Sequence, residues 1–274
     1  MKLDMGAAWN TATSLIGRNR DVVLVIAGVF FFLPSLAVGL ALPQADALAS
    51  SAASDDPQAL MNAMMGFYAD YWWALLLTFI FQGVGTLALL TLLTDRARPT
   101  VGEAIKRGAI SFPSYFVTNI LAAIAVAGVV MLPLALVGMS GSAATAAIAA
   151  ILLLPVMVYL MVKFSLIMPA IAIDGILNPL AALRRSWQLT RGNSFRLLLF
   201  YFLLLVATTV ILALVSMVVG VIFAAMGGEI EKLGNAIFSS LINAAFVVVF
   251  FGVLAGVHRQ LAGEAPEALT ELFE

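Results

Sequence analysis

The chain has 274 residues, 63% of them hydrophobic and 11% charged, with a net charge of −1. A water-soluble domain has about a quarter charged residues; here there are too few to coat a surface, so most of the exterior must face lipid. There is no cysteine, which excludes disulfides, thiolate nucleophiles and thiolate metal sites.

The opening stretch DMGAAWNTATSLIGRNRDVV reads as an amphipathic helix. Asp4 is placed to cap it, Met5, Trp9 and Ile16 share a face, and Gly17 with Arg18 is placed to stop it. The apolar run that begins only at Val22 is about twenty residues long, longer than the apolar core of a secretory signal, so it is expected to be a retained first span. Six runs reach the roughly twenty residues that a helix needs to cross a ~30 Å hydrocarbon core: 22–42, 72–93, 114–139, 144–173, 195–226 and 236–257. They must be helical, because hydrocarbon offers no partner to an unpaired backbone N–H or C=O.

The outer loop 43–71 has no Lys or Arg, and Phe67, Tyr68, Tyr71, Trp72 and Trp73 cluster where it re-enters the bilayer, rings that favour the membrane–water interface. Within it, Asp56-Pro57 is expected to start a short helix with Leu60, Met61, Met64 and Met65 on one side.

PTVGEAIKRGAISFPSYF then repeats the opening design. Thr100 and Glu103 form a capping-box pattern. Val101, Ile105, Ala109 and Phe112 share a face, Lys106 and Arg107 lie off it, and Pro113 is expected to end the helix. In NPLAALRRSWQLTRGNSF, Asn178 caps, Pro179 takes the first helical position, and Gly192 stops the helix after Arg191. Leu180, Leu183 and Trp187 recur at helical spacing, with Leu189 off the stripe. A shift of 78 positions lays Lys106-Arg107 on Arg184-Arg185. The expected fold class is therefore all-α: six transmembrane helices as three hairpins, each preceded by a cytoplasmic amphipathic helix. The chain forms a single membrane domain, 1–274, with pseudo-repeats 1–95, 96–175 and 176–274, and an acidic tail, 259–274.

Thirteen of the 14 Lys and Arg residues fall on one side of these spans, and only Lys232 on the other. The positive-inside rule places both termini in the cytoplasm.

Inside the spans, Lys163 precedes Asp174 by eleven residues, about 16 Å if the helix continues. A lysine at that depth either snorkels to the interface or lines a cavity where it meets an anionic headgroup; residues 164–173 are then an interfacial or re-entrant segment, or part of span four. Gln82, Asn119 and Asn243 are suited to interhelical hydrogen bonds. Pro34, Pro133 and Pro155 are expected to kink their spans. Ser216, Gly220, Ala224 and Gly228 on span five, and Gly252 and Gly256 on span six, have the small-residue spacing that lets helices approach closely, within the chain or between copies. The serine of GMSG, Ser140, is expected about a membrane thickness, ~30 Å, from the sole histidine, His258, which rules out a serine–histidine pair.

KFSLIMPAIAIDG followed by NPLAALRRSWQLTRGNSFRLLLF resembles the membrane-domain family named for glycerophosphoryl diester phosphodiesterases, and is similar to the YciC-type bacterial inner-membrane proteins. The resemblance implies a six-span protein of the bacterial inner membrane. The phosphodiesterase activity belongs to a separate catalytic domain that needs paired histidines and carboxylates, so the resemblance does not imply it here.

The expectation is a non-catalytic protein that binds anionic lipid or scaffolds envelope proteins. Lys106, Arg107, Lys163, Asp174, Arg184, Arg185, Trp187 and Arg191 are its candidate lipid- or partner-binding residues. The expected partners are anionic headgroups at the cytoplasmic face or an envelope protein, with no nucleic acid, metal or cofactor. The alternatives are a transporter for a lipid or small anion and, with less support from scattered carboxylates, a headgroup-modifying enzyme.

Overall fold

The computed structural model describes residues 2–41, 57–94, 99–139 and 141–263, all helix and short connections. The expected parts of the outer loop and acidic tail beyond these limits, with Arg96, Arg98 and Ser140, lie outside the described residues. Helix α1 is Met5–Arg18. Helix α2 joins Arg20–Ile26, a π-helical stretch Ala27–Phe32 and Leu33–Ala41. Helix α3 is Pro57–Thr94, and α4 joins Val101–Val126, a π-helical stretch Ala127–Met131 and Leu132–Gly138. The remaining helices are α5 (Ala143–Phe164), α6 (Ile167–Ala172), α7 (Pro179–Leu189), α8 (Ser194–Met226) and α9 (Gly228–Leu261). Six helical segments are long and apolar enough to cross a membrane: α2, α3, α4, α5 with α6, α8 and α9.

The three caps form as their sequences require. Asp4 accepts from the Ala7 N–H, Thr100 and Glu103 close a reciprocal capping box, and Asn178 accepts from Leu180 and Ala181. Two of the three prolines in spans act through π turns. Leu33 N–H bonds the Gly28 carbonyl and Leu132 N–H that of Ala127, each five residues back, just before Pro34 and Pro133. A proline ring crowds the carbonyl four residues earlier, and the wider turn relieves that crowding. Pro155 lies inside the unbroken helix Ala143–Phe164.

Several expected boundaries and faces are corrected. Pro113 does not end a helix: α4 runs through it from Val101 to Val126. The carbonyl that loses its partner belongs to Ala109, which is exposed and open to water or headgroups. Residues 57–71 of the expected outer loop are the first turns of α3, whose 38 residues extend ~57 Å, well beyond a ~30 Å core. α7 stops at Leu189, and Gly192 takes a positive φ of 79° in the turn that follows. The most deeply buried positions are Ala8, Ala12 and Leu15 on α1, Ala104 and Gly108 on α4, and Ala182, Ser186 and Leu189 on α7. Of the expected apolar faces, Met5, Ile16, Val101, Ile105, Phe112 and Leu183 pack partly buried against the core, while Trp9, Leu180 and Trp187 are exposed.

These small residues seat each short helical segment against the end of a longer helix. A Cβ at Gly256 would lie 2.5 Å from the Ala8 carbonyl oxygen, and one at Gly252 2.6 Å from Ile16 Cδ1, so α1 lies directly on α9. A Cβ at Gly108 would lie 2.7 Å from the Val84 carbonyl oxygen and 3.0 Å from Ala88 N, so the head of α4 lies on α3. The third seat is a buried hydroxyl rather than a glycine: Ser186 bonds the junction of α5 and α6. Residues before α1 are fixed too, since Leu3 N–H donates to Asn193 Oδ1 at 2.9 Å and the Leu3 carbonyl accepts from Arg196 at 3.1 Å. By contrast Ser216 and Ala224 are exposed, and a Cβ at Gly220 would meet nothing within 4 Å; that stripe packs on no helix of the described chain.

Gly256→Ala should therefore unseat α1 and lower stability by about 1–3 kcal/mol, the usual cost of overpacking a tight contact. Gly220→Ala should be neutral or slightly stabilising, since alanine is the better helix former. Thermal unfolding of the two variants in detergent micelles checks the contrast.

Candidate functional site

The site lies at the end of the bundle where the three seats lie, and it begins with a broken helix. Pro169 has no N–H, so the helix that begins at Ala143 cannot continue its ladder through Ser165. α5 stops at Phe164 and α6 starts at Ile167. Ser186 bridges the gap: its hydroxyl donates to the Lys163 carbonyl at 2.7 Å and accepts from the Leu166 N–H at 3.2 Å. Residues 167–172 then form a short inner helix whose Ile167, Pro169, Ala170 and Ile171 are buried. The segment after Lys163 is thus neither a continuation of a straight span nor a lipid-facing surface helix.

Lys163 sits on the last turn of α5 with only 2% of its surface exposed. Its ammonium lies 5.3 Å from the ring centre of Tyr159 and 5.2 Å from that of Trp187, within the range of cation–π attraction. Tyr159 and Trp187 meet edge to face with centroids 6.0 Å apart. Among the described residues no carboxylate lies within ion-pair distance of Lys163. The two aromatic faces, one from α5 and one from α7, are therefore its described electrostatic partners.

Asp174 follows α6 and joins two other elements. Arg185 Nε of α7 donates to Asp174 Oδ2 at 2.7 Å, and His258 Nε2 of α9 lies 3.1 Å from Asp174 Oδ1. His258 thus lies beside the carboxylate without a well-aligned hydrogen bond. His258 is completely buried, and its Nδ1 has no protein partner among the described residues. Partial burial pushes the Asp174 carboxyl up, but His258 and Arg185 together outweigh this and hold it below the ordinary value of 3.8.

The structure thus brings Lys163 to Trp187 and Asp174 to Arg185. Arg184, Arg191 and Lys106 are exposed on the same end, each without a carboxylate in ion-pair range among the described residues, and Arg107 is exposed beside Lys106. The sequence reading missed three contributors: His258, which is fully buried, Ser186 and Tyr159. Ser186 had a readable signal, because the 78-residue shift lays it on Gly108 as it lays Ala182 on Ala104. His258 had none, since its partner lies on another helix. Among the described residues no group of three His, Cys, Asp or Glu side chains could hold a metal ion.

An all-helical bundle of this kind, with six apolar segments of spanning length, defines a multi-pass membrane protein. Residues 128–258 match the profile of the membrane domain of glycerophosphoryl diester phosphodiesterase. The matched stretch runs from the π turn of α4 to His258, so it includes the Lys163 cage and the Asp174 link but not Lys106 or Arg107. No curated protein and no solved structure matches the chain.

Ser186→Ala removes both bonds across the break and leaves the Lys163 carbonyl and Leu166 N–H unpaired. It should cost about 1–3 kcal/mol per orphaned group, read as a fall in unfolding midpoint. The pH dependence follows from Asp174. Its folded carboxyl titrates below the unfolded value of about 3.9, so its contribution is fully present above that pH and is lost as pH falls through the folded value. Asp174→Asn should be less stable at neutral pH and lose less on acidification to pH ~3, as unfolding in denaturant at both pH values would report.

Proposed function

We propose that this is a non-catalytic inner-membrane protein that binds anionic lipid at its cytoplasmic face. The observation that supports the reading is the collection of basic side chains at one end of the bundle. Arg18, Lys106, Arg107, Arg184, Arg191 and Arg196 are exposed there, around the aromatic-held Lys163. The described charges at the opposite end are Glu229, Glu231 and Lys232, with Asp70 nearby on α3. Such a bias orients the basic end toward the cytoplasm, where the leaflet is anionic and each nearby Lys or Arg contributes on the order of 1 kcal/mol to attraction.

In this reading the repeating unit is a cytoplasmic helical segment followed by a hairpin of spans. The seated small-residue face holds each segment at headgroup depth, and its arginines and lysines meet phosphate. Exposed Trp9, Leu180 and Trp187 suit the apolar side of that boundary. Arg185 has a different part: it is held by Asp174 and positions α7 rather than contacting lipid.

The test is native mass spectrometry of protein released from its own membrane. Anionic lipid should be retained at a defined stoichiometry. The combined variant Lys106→Gln, Arg107→Gln, Arg184→Gln, Arg191→Gln should lose it by at least about tenfold, while remaining inserted with an unchanged unfolding midpoint. Lys163→Met should reduce selectivity among anionic lipids without unfolding the protein, because the cage accepts a flexible apolar chain. Retention unchanged in the combined variant would overturn the reading, and a co-released protein without selected lipid would favour scaffolding.

A further inference from the structure

A cleft of about 1090 Å³ with a polar wall on one helix opens at the end of the bundle away from the basic collar, between α2, α3 and α9. Its wall on α9 is a single helical face: Glu231, Lys232, Asn235, Ser239, Ser240 and Asn243 recur at the three- and four-residue spacing of one stripe. The other faces of the same turns are apolar and exposed, at Ile230, Leu233, Ile237 and Leu241. The first half of α9 is therefore amphipathic with its polar side turned into the bundle, the reverse of a water-soluble helix. Ser35 on α2 and Thr78 and Gln82 on α3 add polar groups to the lining, and Val38, Leu40 and Ala236 add apolar ones.

The cleft is deep. Gln82 lies ten residues along α3 from Trp72, about 15 Å, which is half the thickness of a ~30 Å hydrocarbon core if Trp72 marks its edge. At that depth Asn243 Nδ2 donates to Ser35 Oγ at 2.8 Å. The side chains of Gln82, Asn235 and Ser239 have no hydrogen-bond partner among the described residues. Polar groups within the apolar thickness are not left without partners, and the volume has room for on the order of thirty waters. Below the amides the path is closed by apolar packing. Phe30 lies against Gly85 and 6.0 Å from Phe81 by ring centres, with Phe31, Leu89 and Val248 buried in the same cluster.

We propose that this cleft is a water-filled vestibule, open on the face opposite the basic collar, whose floor at Gln82 and Asn243 receives small polar solutes near the middle of the membrane. Among the described lining residues formal charge occurs at Glu231 and Lys232, and the polar groups of the deeper lining are amides and hydroxyls. The site shares no residue with the lipid-binding collar and stands or falls separately from it.

The absence of native cysteine makes the test direct. Single variants Gln82→Cys, Ser239→Cys and Asn243→Cys are inserted in membranes and exposed to a small, charged, membrane-impermeant thiol reagent. Leu241→Cys reports the lipid face and Lys106→Cys the collar side. The vestibule cysteines should label at least about tenfold faster than Leu241→Cys, which faces hydrocarbon closed to a charged reagent. They should label from the face opposite to Lys106→Cys, and a bulky polymer-linked maleimide should not reach Gln82→Cys or Asn243→Cys. Should breaking the Asn243–Ser35 bond disturb folding, Gln82→Cys and Ser239→Cys give the same readout. Labelling no faster than Leu241→Cys, labelling from the collar side, or equal reaction with the polymer reagent at the floor would each overturn the proposal.

Discussion

The arrangement depends on small side chains that let short helical segments lie directly on the backbone of longer helices. Within lipid, apolar surface is no driving force for association, because the tails are as apolar as leucine; close packing and interhelical hydrogen bonds take its place. Ala8 and Ala12 meet Gly252 and Gly256, Gly108 meets Val84 and Ala88, and Ser186 meets the broken ladder after Lys163. Burial concentrates around these contacts. Leu87–Leu90 on α3 and Val253–Val257 on α9 are almost wholly enclosed, whereas α8 encloses only Leu197 and Phe200, both near its start. The bundle is thus closely packed at its collar end, and the outer part of α8 has little contact with other helices.

That asymmetry separates the chemistry of the two ends. At the packed end Lys163, Asp174 and His258 are held by neighbours from different helices, so their positions depend on α5, α6, α7 and α9 together. At the other end helices α2, α3 and α9 leave space between them, and the polar stripe of α9 faces that space. The apolar layer of Phe30, Phe31, Leu89 and Val248 lies between the two. The π turn at Ala27–Phe32 contains both phenylalanines, so the widened turn ahead of Pro34 also sets how these rings meet α3.

The parts legible in the sequence were those fixed by local chemistry. Asp4, Thr100 with Glu103, and Asn178 cap helices because their side chains reach backbone N–H groups within their own first turn, and apolar length alone located the spans. The faces were harder to read. A stripe of large apolar residues marks a buried face in water, but in a membrane it can equally mark the face toward lipid. Trp9, Leu180 and Trp187 followed the second pattern, while Leu15 and Leu189 joined alanine, glycine and serine at the buried positions. Pro113 misled for a related reason: a lost backbone bond at an exposed Ala109 can be replaced by solvent, so the helix had no need to stop. The His258–Asp174 contact joins residues 84 positions apart, and no local pattern announces it.

The seating of α1 also constrains how the chain is made. Asp4 and Gln260, which meet through a 3.2 Å hydrogen bond, are separated by 256 positions. At a synthesis rate of roughly 5–20 residues per second, tens of seconds pass between the appearance of this helix and that of its seat. Throughout that interval the segment has basic Arg18 and Arg20, exposed Trp9 and an unoccupied face of Ala8 and Ala12, and the place that suits such a helix is the membrane surface. α1 is made long before the part of α9 on which it packs, so its small-residue face is filled only when the end of α9 has emerged.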